Sequence, residues 1–213
     1  MSEIRRPDLQ IDIPPHRPVT AGGGSFSFQH DQGIHYAWRE DVFSPLECDA
    51  IREIGRRLTL QKARTVGILQ SDEIRKSQAE FFFPNEHTEW IFDRIARHVL
   101  EMNDQFFRFD LTGFDHGIQF TRYEAPGAHY DWHIDRGQNM PSRKMSLVVQ
   151  LSDPADYKGG ALQFWIGGKQ KDRAPVKQGS LVIFPSFVFH RVKPVKEGVR
   201  ESLVAWLGGP AFR

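Results

Sequence analysis

In the second half of the chain, short apolar stretches alternate with turn residues. This pattern constrains the fold more than any other feature of the sequence. The apolar stretches cover residues 117–123, 144–151, 161–165, 180–184 and 202–207. Turn residues such as Pro126-Gly127 and Gly159-Gly160 separate them. Many short strands at close spacing are typical of a sandwich or a jelly-roll barrel. We therefore predict a mainly β fold whose core is a double-stranded β-helix of the cupin-like jelly-roll type.

The first half of the chain predicts two supporting helices. Ser44-Pro45 has the residues of a helix start, with Ser44 as the cap. An apolar stripe at helical spacing predicts a second helix from about Glu86. Proline and glycine dominate residues 1–28, which we predict to be a flexible or surface-packed arm. Residues 29–213 then form a single domain, with helical support over 29–109 and the jelly-roll core over 110–213.

Composition limits the partners that the sequence favours. The chain has 213 residues, and its 28 Lys and Arg nearly balance its 27 Asp and Glu, so charge gives no case for nucleic acid as a partner. A single cysteine, Cys48, fits a reducing compartment. No apolar run approaches the length of a membrane span. We expect a cytoplasmic protein with no membrane partner.

Three side chains in the strand-rich half predict a metal site. His133 and Asp135 are two residues apart, so on a strand they share a face. One imidazole and one carboxylate make two thirds of a facial metal site, and His190, which follows a later apolar stretch, is the candidate third ligand. His129 and Asp131 have the same spacing, and spacing alone does not choose between the two pairs. It also leaves open a surface role for either pair.

A cation lies ten residues beyond His190. Arg200 falls within a strand that also carries Ser202. A guanidinium aimed into an apolar barrel is costly unless an anion meets it. Strand parity also allows Arg200 to face solvent. If it faces inward, Arg200 and the Ser202 hydroxyl predict a clamp for a cosubstrate that bears a carboxylate.

Several motifs occur in the order of a known family. They are Tyr123, Gly127, Tyr130-x-x-His133-x-Asp135, Gly159-Gly160-x-Leu162, Phe184-Pro185, His190-x-Val192-x-Pro194-Val195 and Gly198-x-Arg200-x-Ser202-Leu203. In these motifs, over about Gln119 to Pro210, the chain resembles the 2-oxoglutarate- and Fe(II)-dependent dioxygenases, specifically their prolyl/lysyl-hydroxylase-like (PKHD-type) branch. Ala161 departs from the pattern at a position that is often acidic or polar in the family.

The resemblance implies roles for individual residues. It selects His133, Asp135 and His190 as the iron ligands. It implies that Arg200, helped by Ser202, binds the distal carboxylate of 2-oxoglutarate, and that Tyr123 lies near this cosubstrate. Trp206 is expected to pack the barrel. Residues close to the ligands in sequence are candidates for a substrate pocket, with a position at the rim or on the surface as the alternative, namely His129, Tyr130, Asp131, Trp132, Arg136 and Arg143.

The resemblance also implies an activity. Fe(II), 2-oxoglutarate and O2 would serve a hydroxylation that releases succinate and CO2. Asp135 favours hydroxylation over halogenation, because related halogenases lack that carboxylate. The expected substrate is a prolyl or lysyl residue of a peptide or protein, or a small amino-acid-type molecule. Desaturation begins with the same hydrogen abstraction, and a non-catalytic barrel that senses a metal or a 2-oxoacid is the alternative to an enzyme.

Overall fold

A computed structural model describes residues 34–62, 73–168 and 170–211, which are mainly β. The arm predicted over residues 1–28 lies outside the described residues. The helices are α1 (Pro45–Arg56) and α2 (Glu89–Phe106), with a 3-10 turn at Pro154–Asp156. The strands are β1 (Ala37–Arg39), β2 (Gln61–Lys62), β3 (Arg75–Lys76), β4 (Gln78–Phe82), β5 (Gly113–Phe114), β6 (Ile118–Glu124), β7 (His129–His133), β8 (Arg143–Gln150), β9 (Tyr157–Gly159), β10 (Leu162–Gly167), β11 (Gln170–Arg173), β12 (Leu181–Pro185), β13 (His190–Val192) and β14 (Val195–Gly208). Neither helix combines the length and apolarity that crossing a bilayer requires, within the part of the chain described here.

The described strands form two antiparallel sheets. The larger sheet has the order β1-β12-β8-β14-β6-β4-β2, and β5 and β9 also pair with β14. The smaller sheet has the order β11-β10-β13-β7-β3. Strands that are distant in sequence become neighbours in both sheets, which brings the segment around His133 beside the segment around His190. The prediction of a mainly β fold with two helices is confirmed.

Two apolar clusters cover the two faces of the larger sheet. One cluster joins residues of the two sheets, including Val148 and Phe184 of the larger sheet and Phe164 of the smaller one. The other cluster contains Leu147 and Leu203, and it also takes in residues of both helices. Side chains of a strand alternate between faces, so each central strand contributes to both clusters. The helices therefore brace one face of the larger sheet, and the predicted site lies on the other.

Local sequence explains where α1 begins and how closely it packs. The Ser44 side chain accepts a hydrogen bond from the backbone N–H of Glu47, and the Glu47 carboxylate accepts one from the Ser44 N–H. This reciprocal pair is a capping box. On the buried face, a Cβ added to Gly55 would lie 2.3 Å from Cδ2 of Phe120. The helix therefore lies against the sheet at a distance that only glycine permits at this position.

A buried carboxylate fastens α1 to the strand that carries Arg200. Glu201 is fully buried and accepts hydrogen bonds from Arg52 at 2.8 Å, Arg56 at 2.8 and 3.0 Å, and Arg122 at 2.9 Å. Burial alone would raise the pKa of Glu201, but the hydrogen bonds from Arg56 and Arg52 outweigh it and hold the pKa below its ordinary value of 4.5. Because neighbouring strand residues face opposite sides, this network fixes β14 from behind while Arg200 points to the other face.

We expect Glu201→Gln to lower the free energy of unfolding by about 3 kcal/mol at pH 7, since it leaves buried arginines without their carboxylate. The folded-state pKa of Glu201 is lowered, so its contribution is complete above pH 4.5 and is lost as pH falls through the folded-state pKa. The difference between wild type and variant in urea denaturation should therefore shrink below about pH 4.5. A constant difference down to acid pH would contradict this account.

The matched control is Glu197→Gln, which removes the exposed ion pair between Glu197 and Lys158. Exposed pairs contribute little, so we expect a change within about 0.5 kcal/mol.

Candidate metal centre

Two adjacent strands bring the predicted histidine ligands together. His190 of β13 lies directly opposite His133 of β7, and their ring centroids are 4.1 Å apart. The next pair in the ladder joins Val192 to Tyr130, so β7 contains one extra residue, a bulge, between Tyr130 and His133. The bulge places Tyr130 and His133 on the same side, where their rings stack at 3.5 Å.

Asp135 follows the end of β7 and turns back towards both histidines. Its backbone N–H donates to the Ser186 carbonyl at 2.9 Å. Its carboxylate oxygens lie 3.6 Å from Nε2 of His133 and 3.5 Å from Nε2 of His190. One donor atom from each of the three residues lies within 4.8 Å of the others. The three predicted ligands therefore converge on one point.

The hydrogen bonds of the two rings leave Nε2 available as the donor atom. Nδ1 of His133 lies 2.7 Å from the Asp131 carbonyl, and Nδ1 of His190 lies 2.9 Å from the Val188 carbonyl. A carbonyl oxygen only accepts, so Nδ1 carries the proton in each ring and Nε2 carries the lone pair. Two imidazoles and one carboxylate on one face of a metal position form the donor set of non-haem Fe(II) oxygenases. The residues therefore fit iron.

The electrostatics of His190 and Asp135 also suit a cation. Burial, with the neighbouring His133, lowers the pKa of His190 to about 4, which keeps this imidazole neutral at pH 7. Burial opposes ionisation of Asp135, but the hydrogen bond that the Ser146 hydroxyl donates favours the ionised form and helps to hold the pKa of this carboxyl below the usual range. A neutral imidazole and an ionised carboxylate are the forms that bind a metal.

Ser146 of β8 orients the carboxylate. Its hydroxyl donates to Asp135 at 2.7 Å and lies 2.9 Å from the Ser186 hydroxyl. Residues that orient metal ligands typically contribute a factor of about 10 to 100 in metal affinity. Ser146 is fully buried, so water does not replace this hydrogen bond.

We expect Ser146→Ala to weaken Fe(II) binding by about 10-fold or more, because Asp135 loses the bond that orients it. Anaerobic metal titration measures the effect. Ser180→Ala is the matched control, since the Ser180 hydroxyl is also buried and has no hydrogen-bond partner among the described residues. Equal losses of affinity in the two variants would argue against a specific role for Ser146.

Arg200 is a buried cation on the same face of the larger sheet. It is only 2% exposed, and its guanidinium donates to Gln150 at 2.8 Å and to Ser202 at 3.5 Å. It also lies 5.5 Å from the ring centroid of Tyr123. No carboxylate within residues 34–62, 73–168 and 170–211 forms an ion pair with it. A buried guanidinium held only by neutral groups favours an anionic ligand.

A cavity adjoins the three metal-ligand candidates. Its lining includes Arg75, Gln119, Tyr123, Tyr130, His133, Asp135, Val148, Leu162, Phe184, His190, Val192, Val204 and Trp206. The aliphatic side chains come from both sheets, and the polar ones lie mainly on β3, β6 and β7. The cavity therefore combines an apolar wall with a strip of hydrogen-bonding groups.

The candidate pocket residues take different positions. The exposed Asp131 lies on the bulge, and Trp132 packs on the outer face of the smaller sheet, stacked on Phe189 at 5.5 Å. His129 bonds to the carbonyls of Gly127 and Glu73. Half-buried Arg136 directly follows Asp135. Buried Arg143 pairs with Asp115 at 3.1 Å, donates to the Asp135 carbonyl and stacks 3.9 Å from the Trp206 ring.

The structure adds polar residues that the sequence did not assign to the site. Arg75 donates to Ser77 at 3.0 Å and to Gln119 at 3.1 Å, and its guanidinium lies 4.5 Å from the Tyr130 ring. Gln150 holds Arg200. Trp206 is buried as expected and also lines the cavity, where its indole N–H has no partner among the described residues. None of the motifs that carry the family resemblance includes Arg75.

Comparisons with known proteins agree with this geometry. Residues 118–208, which contain the three ligand candidates and Arg200, match the sequence profile of the 2OG-Fe(II) oxygenase superfamily. The strand-rich half of this chain is therefore similar to the 2OG-Fe(II) oxygenase superfamily. This family implies Fe(II), 2-oxoglutarate and O2, and the converging His133, Asp135 and His190 fit the iron.

Proteins with sequences similar to this chain include PKHD-type hydroxylases, the branch to which the motifs point. A PKHD-type hydroxylase of Synechococcus elongatus is 37% identical over 97 residues, which are 43% of this chain and 43% of the relative. One from Synechococcus sp. strain CC9902 is 36% identical over 122 residues, which are 53% of this chain and 54% of the relative. The chain therefore spans about half the length of these relatives.

Solved structures of oxygenases share the fold. A prolyl-4-hydroxylase of Pseudomonas putida superposes with a TM-score of 0.68 at 24% identity, over 83% of this chain and 94% of that one. A Trichoplax adhaerens prolyl hydroxylase, solved with a peptide fragment of the hypoxia inducible factor oxygen degradation domain, gives a TM-score of 0.70 at 15% identity, over 82% and 83%. At these identities the likeness concerns the fold.

Proposed function

We propose that this protein is an Fe(II)- and 2-oxoglutarate-dependent hydroxylase of an unactivated C–H bond in a prolyl or other amino-acid-type residue of a peptide or protein. One observation carries the proposal. Three metal-binding side chains converge beside a cavity on the face from which Arg200, buried and without a carboxylate partner among the described residues, also projects. The three converging side chains suit Fe(II), and the Arg200 guanidinium suits the distal carboxylate of a 2-oxoacid.

The chain's own residues would bind and orient the reactants. His133, Asp135 and His190 would hold iron, and Arg200 with Ser202 would hold the cosubstrate beside Tyr123. When bound, iron and 2-oxoglutarate supply the oxidising chemistry, in which one oxygen atom of O2 enters the substrate and the other enters succinate as CO2 leaves. The aliphatic wall of Val148, Leu162 and Val204 would exclude water from the reacting centre.

The polar strip of the cavity supports an amino-acid-type substrate. Arg75 and Gln119 present hydrogen-bonding groups, and Tyr130 and Trp206 present aromatic surface. The Trp206 indole N–H, which has no partner among the described residues, would donate to a carbonyl of the bound substrate. A peptide backbone supplies such carbonyls, and its ring or side chain would lie against the aromatic groups.

Two finer points belong to the same proposal. The facing antiparallel sheets support a double-stranded β-helix core for residues 110–213, with the helices of residues 29–109 as its brace. The single cysteine, Cys48, is buried, which supports a reducing compartment such as the cytoplasm.

Succinate formation tests the proposal. Purified protein with Fe(II), 2-oxoglutarate and O2 should form succinate, and proline-containing peptides should increase the rate and gain one oxygen atom. His133→Ala should abolish both the formation of succinate and the gain of oxygen by the peptide, because it removes an iron ligand. Tight binding of 2-oxoglutarate without succinate under all of these conditions would instead favour the sensor module.

A further inference from the structure

We propose that an aromatic shelf, made of Phe81, Phe83 and His116, is a second subsite that binds a ring-bearing side chain of the peptide substrate beside the reacting residue. The inference rests on the proposed function and adds a sequence preference to it. The shelf lies outside the cavity described above, since none of its three residues lines that cavity.

The shelf is continuous with the cavity wall. Phe81 of β4 pairs with Gln119 of β6, which lines the cavity, so the two residues lie side by side on one face of the larger sheet. The ring centroids of Phe81 and Trp206 are 6.4 Å apart. The His116 ring lies 4.5 Å from Phe81 and 5.5 Å from Phe83. A row of aromatic rings therefore runs from the cavity wall to the surface.

The outer end of the row is exposed and yet held in place. Phe83 is 55% exposed, so its ring is accessible to a ligand from solvent. A Cβ added to Gly117 would lie 2.6 Å from the Phe82 carbonyl and 3.0 Å from the Phe83 ring. The absence of a side chain at Gly117 therefore lets Phe83 lie close to the backbone of the neighbouring strand, beside His116.

The chemistry of the shelf selects an uncharged ring. Asp115, the acidic residue next to His116, is engaged by Arg143 at 3.1 Å and by Ser142 at 2.6 Å, so it is not available to a cationic side chain. Aromatic rings attract other rings in stacked or edge-to-face contacts at centroid distances of about 4.5–7 Å. An extended peptide covers about 3.3 Å per residue, so the shelf would meet a phenylalanine, tyrosine or proline roughly two to four residues from the one in the cavity.

Peptide binding to the anaerobic protein loaded with Fe(II) and 2-oxoglutarate tests the inference. The probes are Gly/Ser heptapeptides with a central proline, in which one other position at a time carries phenylalanine, alanine, lysine or glutamate. We expect phenylalanine at one of these positions to lower the dissociation constant about tenfold relative to alanine in calorimetric titrations. Glutamate at that position should give no gain, and lysine, whose ammonium is attracted only weakly by exposed ring faces, should gain less than phenylalanine.

Phe83→Ala should reduce the preference for phenylalanine to less than about twofold and leave the binding of 2-oxoglutarate unchanged. Leu100→Ala is the matched control, since Leu100 is equally exposed at 55% on α2 and should retain the full preference. No preference for a ring at any position, no peptide binding, or a preference that persists in Phe83→Ala would overturn the inference. Succinate formation and gain of one oxygen atom by the same proline-containing peptides would show that the proposed function survives the loss of the ring preference.

Discussion

Asp135→Ala is expected to weaken Fe(II) binding by more than about 100-fold and to abolish succinate formation. The variant removes the one carboxylate among the three converging side chains, which should cost more than the loss of a residue that only orients a ligand. Asp135 accepts the Ser146 hydrogen bond and lies within 3.6 Å of both imidazoles, so two histidines without charge compensation would remain. Metal titration and succinate assays measure the two effects.

Asp131→Ala is the control that separates the two His-x-Asp pairs. The Asp131 side chain is exposed, and it is the backbone carbonyl of this residue that bonds to His133, so alanine keeps that bond. We expect Fe(II) affinity within about twofold of wild type. A loss as large as that of Asp135→Ala would instead place the metal at His129 and Asp131.

Arg200→Met is expected to weaken 2-oxoglutarate binding by about 100-fold, because it removes the charged partner of a buried carboxylate at a cost of about 3 kcal/mol. Methionine keeps most of the volume of the side chain, which packs against Gly160. The sharper measurement compares two ligands. Pyruvate shares the 2-oxoacid end of 2-oxoglutarate but lacks the distal carboxylate, so its affinity should be nearly the same in wild type and variant.

The comparison of ligands makes the assignment specific. Arg200→Lys should bind 2-oxoglutarate with intermediate affinity, because it retains the charge but loses the guanidinium fork. If Arg200→Met weakened pyruvate and 2-oxoglutarate equally, Arg200 would act on the fold or on the metal and not on the distal carboxylate. In that case Arg200 would have a structural role like that of Arg52, which forms an ion pair with the buried Glu201.

The sequence predicts the elements better than the faces of the strands. The Ser44 cap is a local signal, and α1 begins directly after it. The faces of the β7 residues do not follow from the sequence in the same way. Strict alternation would put the side chains of Tyr130 and Trp132 on the same side of the sheet. The bulge adds one residue, so Tyr130 lies in the cavity and Trp132 lies on the outer surface.

The supporting residues of the site depend on contacts between distant segments. Arg75 lies in a two-residue strand and reaches Gln119, 44 positions away, which no local periodicity indicates. Ser146 lies in a strand that is buried throughout, and its bond to Asp135 depends on the register between β8 and β12. Such contacts follow from the packing of the sheets, so they become visible only in the folded structure.

Anaerobic titration of Fe(II) and 2-oxoglutarate into the apo protein tests the central claim most directly. Chelation of a 2-oxoacid to Fe(II) gives a weak visible charge-transfer band, so the readout reports metal and cosubstrate together. We predict that the band appears in wild type, needs about 100-fold more 2-oxoglutarate in Arg200→Met, and is absent in Asp135→Ala. Tight metal binding with no band in wild type would contradict the account and leave a metal-binding barrel without the proposed cosubstrate.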